Sequence, residues 1–386
     1  MKICNQKKYI AGLSGGTDSI FMLSKLVAKV KPNKIIACHV NYNYRSDSSI
    51  DQKICEEFCK KNNIKLEILN VTQNYKELRQ NFESWARKIR YDFFVENLNK
   101  YEFDKILIAH NMNDDIETFI MQKQKQTIVQ YWGIEKKTFY KDAMIYRPII
   151  EYKRSQILEY LNENEIVYAN DSTNLDLKYT RNKIRDSLDE NNFEKISEEK
   201  KVLNQKLKRT INTVLKLVEN IKDKQLDLKS LRHDQLYDQI LIFKFLETNG
   251  FGNLFYGRKK ATIKEIIKEL YSNKSFIKIE INNLILLKDR NILKIIDKSD
   301  LCIINKPIVE LSKEEIDYFN CKEEISKYNK TNIWVTNDWE RTFKFLKVNN
   351  KPLNKVLTKQ KKSYFSRWFD LVIYNESDKN ILNINI

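Results

Sequence analysis

Short apolar runs rich in β-branched residues alternate with amphipathic stretches through the first 185 residues of this 386-residue chain. Tyr9–Leu13, Ile35–Val40, Leu66–Val71 and Lys105–Ala109, with a weaker run at Met144–Ile145, read as strands. Between them, Leu78, Phe82, Trp85, Ile89 and Phe93 recur at three-to-four spacing, the mark of one buried helical face. This alternation predicts a parallel sheet in an α/β layer fold, whose ligands gather beyond the carboxyl ends of the strands. From about Ser187 the period changes to long lysine-rich helices, with Ile211, Val214, Leu215, Val218 and Ile221 on one face and further helical stretches at Gln239–Thr248 and Lys259–Tyr271. Phe276–Ile281 and Leu284–Lys288 flank Asn282-Asn283 as a predicted β-hairpin, and a mixed α/β pattern runs from about Asp300 to Ile386. Three regions follow: an α/β domain over 1–186, a mostly helical domain over 187–297 and a small mixed α/β domain over 298–386.

The glycines sharpen this outline. The chain has only seven, yet Gly12, Gly15 and Gly16 fall together at the end of the first predicted strand. They sit in Ser14-Gly15-Gly16-Thr17-Asp18-Ser19, directly before the apolar helical residues Ile20, Phe21 and Leu23. A glycine turn followed by a helix N-terminus presents unpaired N–H groups to an anion. Ser14 and Ser19 add hydroxyls; Asp18 adds a carboxylate that would repel phosphate unless a divalent cation lay between them. The combination points to a nucleoside triphosphate with Mg2+, on a loop that lacks the lysine of Walker A.

Two other predicted strand ends carry polar clusters. His39-Val-Asn-Tyr-Asn-Tyr-Arg45 follows the second, where it fits an adenosine pocket or a plain surface loop. His110, Asp114, Asp115 and Glu117 follow the fourth; helix-capping acids or a metal and catalytic cluster are the two readings, and convergence with Asp18 favours the second.

Composition narrows the partners. The formal net charge of +17 favours a polyanion such as nucleic acid. Six scattered cysteines without a Cys-x-x-Cys pair argue against a disulfide framework or a zinc ribbon, and three histidines against a histidine-rich metal site. The longest apolar runs, such as Ile240–Phe243, are too short to span a bilayer and no signal-peptide core follows Met1, so a cytoplasmic protein without a membrane partner is expected. The oligomeric state stays open, a homodimer among the options.

The loop at 14–19 resembles the SGGxDS loop of the PP-loop ATP pyrophosphatases, which implies a PP-loop, adenine nucleotide α hydrolase-like, N-terminal domain. Ala109–Thr118 is similar to the AHHxDDxxET segment of the tRNA(Ile)-lysidine synthetases, with Asn111 and Asn113 in place of the usual second His and first Asp. His39–Arg45 looks like that family's HVxxxLR segment, and Ala86–Tyr91 like its ARxxRY helix. Arg147-Pro148 with Arg154 resembles its RPL segment; Asp171–Asn174 and Tyr179–Arg185 resemble DxSN and RNxIR. The resemblance implies a ligase that joins free L-lysine to C2 of the wobble cytidine of CAU-anticodon tRNA(Ile), with ATP adenylating the base. It further implies that Ser14, Gly15, Gly16, Thr17, Asp18, Ser19 and His39 bind ATP, that Asp18 and Asp114 hold Mg2+, and that Arg90, before Arg87, stabilises the reacting phosphorus. His110 and Glu117 are then candidate acceptors of the lysine proton, and Glu117 alternatively a holder of the lysine ammonium or a metal ligand. Arg181 and Arg185 would hold tRNA phosphate or a catalytic-domain interface.

In the C-terminal region, Asn354–Phe369 is similar to the family's KxLKxxxxxxKIPxxxR segment, which makes Lys355, Lys361, Lys362 and Arg367 candidate tRNA contacts and leaves Phe365, Trp368 and Phe369 to the core. Two alternatives remain at this level: a tRNA thiolase of the same superfamily, against which the lack of paired cysteines speaks, and a non-catalytic ATP-gated RNA-binding protein, against which the strand-end acids speak.

Overall fold

The computed structural model describes residues 1–43, 48–72, 82–125, 128–169, 184–185, 187–252, 261–328 and 332–383. Leu78, Arg45, Asp171–Asn174, Arg181 and the first two residues, Lys259 and Lys260, of the helical stretch expected at Lys259–Tyr271 lie outside the described residues.

The predicted strands join one further strand in a single sheet. β1 (Tyr9–Gly12), β2 (Ile35–Asn41), β3 (Lys65–Asn70), β4 (Lys105–Leu107), β5 (Lys137–Tyr140) and β6 (Ala143–Tyr146) run in the order β3-β2-β1-β4-β6-β5. All neighbours are parallel except β5 and β6. Strand order reverses about β1, so a crevice opens at its carboxyl end, between the turns that follow β1 and β4.

The period-two alternation of the strands makes two cores. Tyr9, Ala11, Ile35, Ala37 and Leu107 pack on one face against Ile20, Leu23 and Leu26 of α1 (Thr17–Val27), Cys55 and Cys59 of α2 (Ser48–Lys61), and Ile157 and Leu161 of α5 (Arg154–Glu163). Ile10, Ile36, Cys38, Ile106 and Ile145 pack on the other against Tyr91, Phe94 and Val95 of α3 (Phe82–Lys100). α4 (Met112–Lys125) follows β4. Each of these fully buried apolar side chains contributes roughly 1.5–3 kcal/mol over an exposed one. At Gly12 α3 comes close to β1: a Cβ there would lie 2.8 Å from the Phe94 ring.

β5 was not legible as a strand. From it the chain turns through Lys141 and Asp142, both at positive φ (46° and 65°), and β6 returns antiparallel along it. That is the backbone of a tight hairpin turn, made here without the glycine or asparagine that usually announces one.

The described chain divides into two compact units, Met1–Leu207 and Lys208–Ile386, and the division falls within the 26-residue helix α6 (Phe193–Val218). The second unit contains α7 (Gln235–Thr248), α8 (Ala261–Leu270) and the antiparallel sheet β7-β10-β9-β8, formed by β7 (Gln225–Asp227), β8 (Phe276–Ile281), β9 (Leu284–Asp289) and β10 (Ile292–Asp297). The hairpin expected at 276–288 is β8–β9, with Asn282 at φ 55° in its turn. Beyond it, β11 (Asn305–Pro307), β12 (Ile333–Thr336) and a later strand, Val372–Asn375, form a three-stranded sheet. Ile285, Leu287 and Ile296 share one apolar cluster with Trp339, Phe343, Leu357, Trp368 and Val372, so the boundary read from the sequence at residue 297 lies within a common core. Among the described residues no helix is long and apolar enough to cross a membrane.

Candidate active site

A cavity of about 690 Å3 opens beside the carboxyl ends of β1 and β4. Ser14, Gly16, Thr17, Asp18 and Ser19 form one wall, His110 and Ala109 another, and Arg87, Arg90 and Tyr91 of α3 a third. Arg154 and Arg185 also line it.

The first wall is built for an anion. Gly15 takes φ 87°, and a Cβ on it would come within 2.9 Å of the Asp51 carbonyl oxygen, so the turn requires glycine. Gly16 is the N-cap of α1 and has no side chain with which to cap it, which leaves the N–H groups of the first turn to a ligand. The turn is held from within. Ser14 N donates to Ser19 Oγ (3.1 Å), and Ser19 Oγ donates to the Gly16 carbonyl (3.0 Å).

Opposite lies the start of α4. Asn111 is its N-cap: its Oδ1 accepts from Asp114 N (3.0 Å) and Asp114 Oδ2 accepts from Asn111 N (3.1 Å), a reciprocal box that fixes both side chains. The Asn111 amide then donates to Asp18 Oδ1 (2.9 Å), so one asparagine ties the two carboxylates together. Burial and the nearby Asp114 charge push the Asp18 carboxyl up to about 6. Two acids crowded together in this way suit a cation. Among the described residues no third His, Cys, Asp or Glu joins them in a metal-binding group. This donor set fits an ion that takes one or two protein carboxylates and the remainder of its ligands from phosphate and water, as Mg2+ does.

Glu117, one turn further along α4 and fully buried, accepts from Arg185 Nε (2.7 Å), and Arg185 Nη2 lies 3.7 Å from Asp114 Oδ1. Arg185, expected to hold tRNA phosphate or a domain interface, therefore serves the acid cluster of the cavity. His110 Nδ1 accepts from Nε of buried Arg147 (2.9 Å). Arg87 stacks over the Tyr91 ring at 4.4 Å, next to Arg90.

His39 is a correction. Alternation along β2 puts Cys38 and Val40 in the cavity wall and turns His39 to the other face of the sheet. There its Nδ1 donates to the Leu13 carbonyl (3.0 Å) beside Cys55, and burial holds the ring below the usual histidine range. It braces β2 against the glycine turn and does not line the cavity.

Arg367 is a second correction. It is 1% exposed, with Nη2 donating to Thr358 Oγ1 and the Lys362 carbonyl (both 3.3 Å) and its guanidinium over the Tyr364 ring at 4.2 Å. A cation that stacks on aromatics belongs to the core as readily as to the surface. Lys355 and Lys361 are exposed, and half-buried Lys362 pairs with Asp370 (3.1 Å). Trp368 is buried as expected, whereas Phe369 is 42% exposed.

Asn113 stands outside the metal-type cluster. Its amide donates to Glu190 (3.0 Å) and its carbonyl accepts from Arg154 N (2.9 Å), joining the starts of α4 and α5. Asp115 likewise serves structure, pairing with Lys200 and accepting from Ile134 N (2.7 Å). Sequence reasoning passed over Arg147 and Arg154 as site residues, although both stand in a segment whose polar residues follow a strand.

Glycine turn, uncapped helix and strand-end acids together define a PP-loop protein, and the PP-loop domain family model matches residues 2–191. The likeness extends well past that domain. A tRNA(Ile)-lysidine synthase of Mycoplasma mycoides subsp. mycoides SC is 42% identical over 99% of this chain and 97% of its own length. One from Mesoplasma florum is 39% identical over 99% of this chain and 98% of its own, and one from Mycoplasmopsis pulmonis 39% identical over 75% and 99%. The chain belongs to the tRNA(Ile)-lysidine synthase family.

Proposed function

We propose that this chain ligates free L-lysine to C2 of the wobble cytidine of CAU-anticodon tRNA(Ile), through an adenylated cytidine, with release of AMP and diphosphate. The observation that carries the reading is convergence. One cavity receives the uncapped N-terminus of α1, the Asp18 side chain, which Asn111 ties to buried Asp114, and four arginines, Arg87, Arg90, Arg154 and Arg185.

Cytosine O2 attacks the α-phosphorus in line, and the bond to the β-phosphate oxygen breaks. The departing diphosphate is received by the N–H groups and hydroxyls of Ser14–Ser19. Arg90, with Arg87 beside it, stabilises the charge on the phosphoryl oxygens. Asp18 and Asp114 would hold Mg2+, which when bound neutralises the charge of the triphosphate. The lysine ε-amine attacks C2 in its neutral form and AMP departs. His110 lines the cavity, and Glu117, fully buried and bound to Arg185 of its wall, is the second candidate for the amine or its proton. Lys355, Lys361 and Lys362 of the second unit supply contacts to tRNA phosphate, with Arg181 a further candidate outside the described residues.

Cys38, the cysteine among the cavity-lining residues, has its thiol pushed far up by burial. A group that stays protonated is a poor sulfur nucleophile, which weighs against thiolation. Repeated turnover of ATP to AMP and diphosphate should require Mg2+, lysine and the CAU tRNA together, and undiminished turnover without lysine or without tRNA would refute the reading.

A further inference from the structure

Resting on that reading, we propose that Arg147 is a positioning residue that holds His110 in its Nε2–H form, so that His110 serves the reaction as a hydrogen-bond donor. Arg147 follows β6 and is 3% exposed. Its guanidinium is fixed at three points: Nη1 donates to the Glu135 carbonyl (2.6 Å) and to Thr138 Oγ1 (3.0 Å), and Nε donates to His110 Nδ1 (2.9 Å). A guanidinium has no lone pair and can only donate. His110 Nδ1 must therefore accept, and the single proton of the neutral ring sits on Nε2.

This has a chemical consequence. To act as a base, His110 needs a free ring lone pair. The one on Nδ1 is spent on Arg147, and the one on Nε2 is replaced by N–H. Taking a second proton would break the Arg147 bond and set two cations side by side in a buried place. The acceptor role expected from the sequence is therefore closed to His110, which becomes a neutral donor in the cavity wall, matched to anionic oxygen such as that of the α-phosphoryl group. The hairpin β5–β6 explains how the arrangement is built. Glu135 and Thr138 reach Arg147 only because β5 folds back on β6, which brings two otherwise unremarkable positions to the guanidinium.

The chain's three histidines make the test direct. In full-length protein labelled with 15N-histidine, long-range 15N–1H correlation should report His110 as the neutral Nε2–H tautomer and His39 as the opposite one, since His39 Nδ1 donates to the Leu13 carbonyl. Loss of one signal set in His110→Gln assigns the ring. Arg147→Met should release His110 into mixed tautomers. Because Arg147→Met can also disturb packing, the activity arm uses His110 itself. A glutamine places an amide N–H close to the Nε2 position and cannot ionise, so His110→Gln should keep lysidine formation within about tenfold of the parent, while His110→Ala loses about 10²–10³-fold. An Nδ1–H tautomer in the parent protein, or His110→Gln as inactive as His110→Ala while both still bind ATP, would overturn the proposal. The tautomer is read without turnover. A parent protein that makes no lysidine would count against the proposed function and leave the Arg147–His110 assignment standing.

Discussion

Asp18 is held where its charge is costly, and replacing it by asparagine should stabilise the protein while disabling it. The carboxyl is raised from 3.8 to about 6 by burial and by Asp114. At about 1.4 kcal/mol per tenfold change in proton affinity, that gap corresponds to no more than about 3 kcal/mol. The native state holds this proton more tightly than the unfolded chain. The penalty is therefore absent below about pH 4, grows as pH rises through about 6, and is complete above it. Asp18→Asn keeps an oxygen for the Asn111 amide and removes the charge. Calorimetry of the ligand-free protein in EDTA should show a higher Tm for Asp18→Asn at pH 8, by up to about 6–12 °C for a unit of about 200 residues, and little difference at pH 4. Added Mg2+ with ATP should then raise the Tm of the parent protein and leave the variant almost unmoved, because the ion that relieves the crowding has lost a ligand. A variant no more stable than the parent at pH 8, or stabilised equally at both pH values, would show that Asp18 carries no buried charge penalty.

Other consequences are as specific. Gly15→Ala should destabilise the first unit by about 1–3 kcal/mol and weaken ATP binding in a nucleotide titration, given the positive φ and the 2.9 Å approach to the Asp51 carbonyl. Lys355→Ala with Lys361→Ala should lower the slope of log tRNA affinity against log salt by about 1–2 with little change in the turnover of bound tRNA; an unchanged slope would exclude these two lysines from phosphate contact. Arg367→Ala should do the reverse in filter-binding and melting experiments, leaving the salt slope as it was and lowering stability by about 2–4 kcal/mol as its buried stack on Tyr364 is lost.

Much of this molecule can be read from the chain because its signals are local. Clustered glycines, strand runs bounded by polar ends and a helix opening on acids each fall within a dozen residues, and β1, β2, β3, β4, the β8–β9 hairpin and the wall at Ser14–Ser19 follow from them. The misplacements share a different origin. His39 stands in the right segment, but one step along a strand decides which face a side chain takes, and its neighbours Cys38 and Val40 took the cavity. Arg367 lies in a basic, aromatic stretch whose pattern suits a surface or a core equally well, and only the rings of Trp339 and Tyr364 decide between them. Asn111 looked like a gap in the family pattern because a lone asparagine does not reveal that it will cap α4 and bridge to a residue 93 positions away. Arg147 was hidden for the same reason, since its partners arrive on a strand whose turn, Lys141-Asp142, carries no recognisable turn signal.

The most direct test of the account is mass spectrometry of the anticodon fragment of CAU tRNA(Ile) after incubation with the protein, ATP, Mg2+ and lysine. The wobble cytidine should gain the mass of lysine less water, and should gain nothing when Asp18→Ala replaces the parent protein. An unaltered cytidine with active, Mg2+-replete protein, or a gain matching sulfur, would contradict it.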